Sequence, residues 1–144
     1  MNFSTILSIR WSDIDANYHM RHSVYYDFGA QQRIEILMQL GLTMTVMQEQ
    51  HFGPVLFREE CLFLREMKLT DTITVHASLL KAKPDASRWT IQHEFINQHS
   101  VRCALLTCDG AWMDTEKRKL ANPTPQIVVD AIHQFPKAAD FVLL

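Results

Sequence analysis

Apolar and polar positions change their spacing along this chain, and each change marks a different element. Residues Phe3 to Trp11 alternate at period two, with Phe3, Thr5, Leu7, Ile9 and Trp11 on one side, which predicts a strand. In "SVYYDFGAQQRIEILMQLGL" the spacing turns helical, with Ser23 as the expected N-cap and Gly41 as the stop. Val24, Tyr25, Phe28, Ala30, Ile34, Leu37, Met38 and Leu40 cover most of that helix's circumference, the pattern of an enclosed helix.

Past Pro54 the period returns to two. "VLFREECLFLR" reads as one strand and "DTITVHASLL" as the next, where Ile73, Val75, Ala77 and Leu79 alternate with Thr72, Thr74, His76 and Ser78. The turn "KPDAS" leads into "RWTIQHEFINQ", with Trp89, Ile91, His93 and Phe95 on one side, and "VRCALLTCDGAWMD" completes the series. In "NPTPQIVVDAI", Thr124 as N-cap and Pro125 at the first helical position predict a short terminal helix. Strands joined by short turns pair antiparallel, so the order predicts an α+β fold in which the helix lies across a curved sheet.

The chain has 144 residues, 47% of them hydrophobic, enough for one core, and a single domain over 1–144 is expected. The formal charge of −2 comes from acid and base mixed along the chain, with no basic stripe to track a phosphate backbone, so no nucleic-acid partner is expected. Cys61, Cys103 and Cys108 lie in strand-like sequence, form no C-x-x-C pair, and read as buried, reduced thiols. "MNFSTILSIRW" has neither a basic leader nor a continuous apolar core, and no run reaches membrane-spanning length. A soluble, cytoplasmic protein with no membrane partner is the expectation.

Chemistry concentrates in "RWSDIDANYHMRHSVYYDF", directly upstream of the helix. Asp15, Asn17 and His19 form a D-x-N-x-H row at a helix entrance, where unpaired backbone N–H groups bind developing negative charge. A carboxylate there acts on a carbonyl carbon while the amides hold its oxygen, the geometry of acyl transfer. The same residues are equally the caps and turn formers common before helices. A third reading takes Asp13, Asp15, His19 and His22 as metal ligands, with an H-x-x-H pair sharing a face if the helix begins at His19. Tyr25 and Tyr26 open the helix beside the cluster, within reach of it or packed in the core. His51, His76, His93, His99 and His133 are dispersed and read as surface or strand-face residues, and no serine or cysteine sits in a nucleophile elbow.

The cluster and its context resemble the hotdog-fold acyl thioesterases, in particular the branch with hydroxybenzoyl-CoA thioesterase, bacterial long-chain acyl-CoA thioesterases and plant acyl-ACP thioesterases. The matching positions are Arg10-Trp11, Asp13, Asp15, Asn17, His19, Tyr25 and Arg33, with the same order of strand, long helix and four strands. The family motif often has glycine before the histidine and continues Val-Asn-Asn, where this chain has Tyr18 and then Met20, Arg21 and His22; a glutamate usual in mid-helix is absent around Ala30.

The resemblance implies a hotdog fold, a curved antiparallel sheet wrapped around one long central helix, and hydrolysis of an acyl-CoA or acyl-ACP thioester. Asp15 is then the catalytic carboxylate, as general base or as nucleophile, with Asn17 and His19 orienting it, the water or the carbonyl. Asp13, His22, Tyr25 and Tyr26 are expected around the substrate. No metal and no cofactor beyond the substrate's own coenzyme A are expected, and the family implies a homodimer or homotetramer with sheets joined edge to edge. Fatty acid metabolism is the implied setting. A hotdog hydratase or dehydratase, or a noncatalytic acyl-binding module, stands as the alternative.

Overall fold

The computed structural model describes residues 3–144, so Met1 and Asn2, the first positions of the expected domain, lie outside the described residues. Period-two alternation becomes alternating burial. In β3 (Ile73–Ala82) Ile73, Val75, Ala77 and Leu79 point inward, and in β4 (Arg88–Ile96) Trp89, Ile91, His93 and Phe95 do. With β1 (Ser4–Leu7), β2 (Phe52–Phe63) and β5 (Arg102–Asp114) these form a sheet of order β1-β3-β4-β5-β2, each pair antiparallel. The sheet curls around the long helix α1 (His22–Gln39), as the α+β expectation required.

Two further strands have no counterpart in the sequence reading. β6 (Lys119–Leu120) pairs antiparallel with the end of β5, and β7 (Lys137–Leu143) runs parallel to β3 along the half that β1 leaves uncovered. β2 remains at the other margin, with no strand on its outer edge among the described residues.

α1 is not enclosed all round. Val24, Tyr25, Gly29, Gln32, Arg33, Ile36 and Leu37 are buried, whereas Ala30 is exposed and Met38 is 43% exposed. One curved sheet covers one side of a cylinder, so the apolar residues of the opposite side stay in the open. Contact on the covered side is close: a Cβ on Gly29 would stand 2.2 Å from Leu106 Cδ2 of β5, so no larger residue fits there without movement.

Boundaries shift by local chemistry. β1 stops at Leu7, because the Asp13 carboxylate accepts from the Arg10 amide and folds the chain into a single 3₁₀ turn, Trp11–Asp13, leaving Trp11 76% exposed instead of in the strand's inward row. Ser23 lies inside α1, whose N-cap is Arg21, while Gly41 follows the helix end at φ 92°, the left-handed conformation glycine adopts freely. The last helix, α3 (Gln126–Gln134), is capped by Pro125 rather than Thr124, and the short α2 (Met44–Glu49) is capped by Thr43, whose hydroxyl accepts from Val46 N. All three cysteines are free; Cys103 and Cys108 are buried, Cys61 only partly. Among the described residues no helix is long and apolar enough to cross a membrane.

Candidate active site

The polar cluster folds into a tight loop between the 3₁₀ turn and α1. Asp13, 1% exposed, is consumed at its base: Arg10 Nη2 lies 2.8 Å from Oδ1 and Arg10 Nε 3.1 Å from Oδ2. The bond from Arg10 holds the Asp13 carboxyl below the ordinary aspartate range, against the burial that raises it. Arg21 closes the other side, donating its amide to Asp13 O at 2.7 Å and its guanidinium to Ser12 O at 2.7 Å. Met20, 3% exposed, donates its amide to Met67 O at 2.8 Å, which pins the loop to the segment after β2.

Asp15 organises the loop's tip. Its Oδ1 accepts from Asn17 N at 2.9 Å and His19 N at 3.3 Å, and its own amide donates to His19 O at 2.9 Å. Asn17 and His19 therefore act on Asp15 through their backbones. The turn places Tyr18 at φ 65°, left-handed and 76% exposed, at the position where the family motif often has glycine. No donor among the described residues bonds Asp15 Oδ2.

That carboxylate lines a shallow cavity of about 280 Å³ with His19, His22, Tyr25, Phe63 and Glu66. His19 Nε2 lies 3.0 Å from Glu66 Oε2, which orients the imidazole. Tyr25 packs edge-on against Phe63 at 5.0 Å between ring centres. Burial, with a smaller contribution from Asp15 among the nearby groups, pushes its phenol well above the usual tyrosine range, so its O–H stays protonated. The structure thus brings Asp15, His19, His22 and Tyr25 together. Asp13 and Asn17 do not line this cavity, and Tyr26 is half-buried against the neighbouring core. The metal reading loses Asp13 to Arg10, and no group of three His, Cys, Asp or Glu among the described residues is arranged to hold a metal.

A second polar arrangement escaped the sequence reading. Arg33 Nη1 lies 3.1 Å from His93 Nε2, His93 Nδ1 lies 2.6 Å from Gln32 Oε1, and Gln32 Nε2 donates to Val75 O at 2.8 Å. Arginine only donates, so Nε2 is the acceptor and the ring proton sits on Nδ1, which donates to Gln32. The donors run one way, from helix to histidine to helix to strand. Burial, then the neighbouring Arg33 charge, lowers the His93 pKa to about 3, so the ring is neutral. Two signals point to this group: His93 falls on the inward row of β4, and Gln32 and Arg33 fall on the buried stripe of α1.

No curated protein matches the chain. Solved structures do, at low identity. A hypothetical protein of Staphylococcus aureus in complex with CoA is 15% identical with a TM-score of 0.85, covering 95% of this chain and 87% of that one. A 1,4-dihydroxy-2-naphthoyl-CoA thioesterase from Synechocystis is 17% identical with a TM-score of 0.80, covering 92% and 96%. A gentisyl-coenzyme A thioesterase, BH1999, is 19% identical with a TM-score of 0.77, covering 90% and 98%. At such identities the likeness is one of fold, and that fold is the hotdog. Residues 9–133 match the model of the thioesterase-like superfamily, and the chain belongs to that family.

Proposed function

We propose that this chain hydrolyses the thioester of an acyl-CoA or an acyl carrier protein to a free acid and a thiol, with Asp15 at the centre of the reaction. The observation that carries the proposal is the asymmetry of its carboxylate: Oδ1 is held by two backbone amides, while Oδ2 has no donor among the described residues, and Asp15 lines a cavity with Tyr25 and His22 at the start of α1. Held in this way, Oδ2 takes a proton from an attacking water, or itself attacks the carbonyl carbon and is regenerated when water cleaves the anhydride. Val24 N donates to Arg21 O, while the amides of His22 and Ser23 at the start of α1 have no acceptor among the described residues and stabilise the oxyanion; the protonated Tyr25 hydroxyl is a further donor. Water's hydroxyl goes to the acyl carbon and its proton to the sulfur. A thiol of pKa about 8.5 leaves readily, so no strong acid is needed. On this reading coenzyme A enters only as part of the substrate, and no resident cofactor or metal takes part.

We further propose a homo-oligomer built on β2. Among the described residues its outer edge carries no strand, and Leu62, Phe63 and Leu64 at its end are 50%, 52% and 41% exposed, an apolar margin that a second copy would cover.

The test is thiol release from short, long and aromatic acyl-CoA thioesters by purified protein, beside Asp15→Asn and with a chelator present. Release that survives chelation and disappears in the variant is expected. Absence of release from every CoA and carrier-protein thioester, by a protein shown to be folded, would overturn the proposal.

A further inference from the structure

Glu66 follows β2 and is held in place by the backbone on both sides of it. The amides of Leu64 and Arg65 both donate to Cys103 O, at 2.8 and 3.0 Å. Met67 O accepts the amide of Met20 at 2.8 Å, and both methionines are buried. Glu66 and His19 each stand one residue before an end of that bond, and their side chains meet, Nε2 to Oε2 at 3.0 Å. No other side chain among the described residues pairs with Glu66. Arg65, on the same cavity wall, donates its Nη1 to Leu64 O at 2.8 Å instead.

Asp15 fixes the other end of His19, accepting its amide at Oδ1 and donating its own amide to His19 O. The backbone of His19 is therefore set by Asp15 and its ring by Glu66. A carboxylate accepts and does not donate, so Nε2 carries the ring proton, and in the neutral imidazole Nδ1 is then an acceptor. Nδ1 has no partner among the described residues. A thioester carbonyl, which offers only lone pairs, has nothing to bind at such a nitrogen, whereas water offers hydrogens.

We propose that Glu66 is a positioning residue for thioester hydrolysis: by keeping the His19 proton on Nε2, it leaves Nδ1 to accept a hydrogen of the attacking water beside Asp15. The proposal rests on the thioesterase reading and narrows it, since His19 then orients the water and leaves the carbonyl to the amides of α1 and to Tyr25. Water is needed whichever way Asp15 acts, at the acyl carbon directly or at the anhydride. The Glu66 side chain is 54% exposed, so its removal takes no core packing with it.

A double-mutant cycle tests it, with hydrolysis of the preferred acyl-CoA measured for wild type, Glu66→Ala, His19→Ala and the pair. Glu66→Ala is expected to lower kcat roughly tenfold or more while KM stays within about twofold. In the His19→Ala background the same change is expected to cost nothing further, because Glu66 acts only through that ring. Glu66→Gln keeps an acceptor on a chain of the same length and is expected to recover most of the loss. The nitrogen-15 resonances of the His19 ring, assigned by their absence from His19→Ala and read at about pH 8, where an ordinary imidazole is neutral, are expected to place the proton on Nε2. An unchanged kcat in Glu66→Ala, a loss confined to KM, additive losses in the pair, no recovery by glutamine, or a proton on Nδ1 overturns the proposal. Should Glu66→Ala not fold, the nitrogen resonances of wild type decide. Thiol release by wild type that is indifferent to Glu66→Ala removes this role alone; a wild type that releases no thiol removes the thioesterase reading, and this role with it.

Discussion

Arg33 and His93 meet inside the core, Nη1 to Nε2 at 3.1 Å, so that a guanidinium on the central helix donates into an imidazole with no solvent exposure. The contact ties α1 to β4 across 60 positions of sequence, and Gln32 ties the same ring to β3 through Val75 O. Each polar atom of the ring is satisfied, and only in the neutral form.

This makes the fold sensitive to acid through His93. Its ordinary pKa is 6.5 and its folded value about 3, so the unfolded chain takes up the proton first as pH falls. The stability it contributes is complete above pH 6.5 and is lost progressively as pH drops toward 3, at up to about 1.4 kcal/mol per pH unit. Urea unfolding at pH 7 and pH 5 is expected to show about 2 kcal/mol less stability at the lower pH. In His93→Gln that difference is expected to shrink to the share of the other titrating groups. An equal loss in both proteins would remove His93 as the cause.

Asp15 serves the loop as well as the proposed chemistry, and two substitutions separate the roles. Asp15→Asn keeps an oxygen for the amides of Asn17 and His19, whereas Asp15→Ala leaves both without it. Thermal melts should therefore place Asn near wild type and Ala about 1–2 kcal/mol lower. Both are expected to lose thioester hydrolysis by at least roughly a hundredfold.

Tyr18 holds a left-handed φ of 65° with its side chain 76% exposed, so it has backbone strain and little packing to lose. Tyr18→Gly is expected to stabilise the protein by about 0.5–1 kcal/mol in denaturant unfolding. A lower stability would mean the ring makes contacts in the assembled protein that outweigh the strain.

Gly29→Ala brings a methyl against Leu106 of β5, 2.2 Å from Cδ2 before any relaxation. Destabilisation by about 1–3 kcal/mol is expected, despite alanine's better helix propensity. Much of it should be recovered in Gly29→Ala with Leu106→Val, and additive losses in the pair would show that the clash lies elsewhere.

If β2 joins two copies, light scattering will give at least twice the 16.7 kDa of one chain. Leu62→Lys with Leu64→Lys is expected to shift the mass toward the monomer, since two desolvated ammonium groups oppose burial of that margin. A wild-type monomer at micromolar concentration would end the proposal.

Much of this architecture is legible in the residue pattern. The inward rows of β3 and β4 emerge as spaced, because a strand between core and solvent records its two faces at period two. The D-x-N-x-H row also reads correctly as a turn before a helix, and the structure adds that backbone amides of Asn17 and His19, not their side chains, hold Asp15. On the helix, composition does not report contact: Ala30 and Met38 are apolar yet uncovered.

Within β3 and β4 periodicity determined which residues turn inward, because that follows from local geometry and side-chain chemistry. It left open which inward residues meet. His93 on β4, Gln32 and Arg33 on α1, and Glu59 on β2 look dispersed along the chain, and only the crossing of the helix over the sheet makes them neighbours. The parallel pairing of β7 with β3 and, among the described residues, the open margin of β2 have the same origin. Register and the order of strands are settled by competition among all the elements for one core, and no stretch of sequence carries that outcome alone.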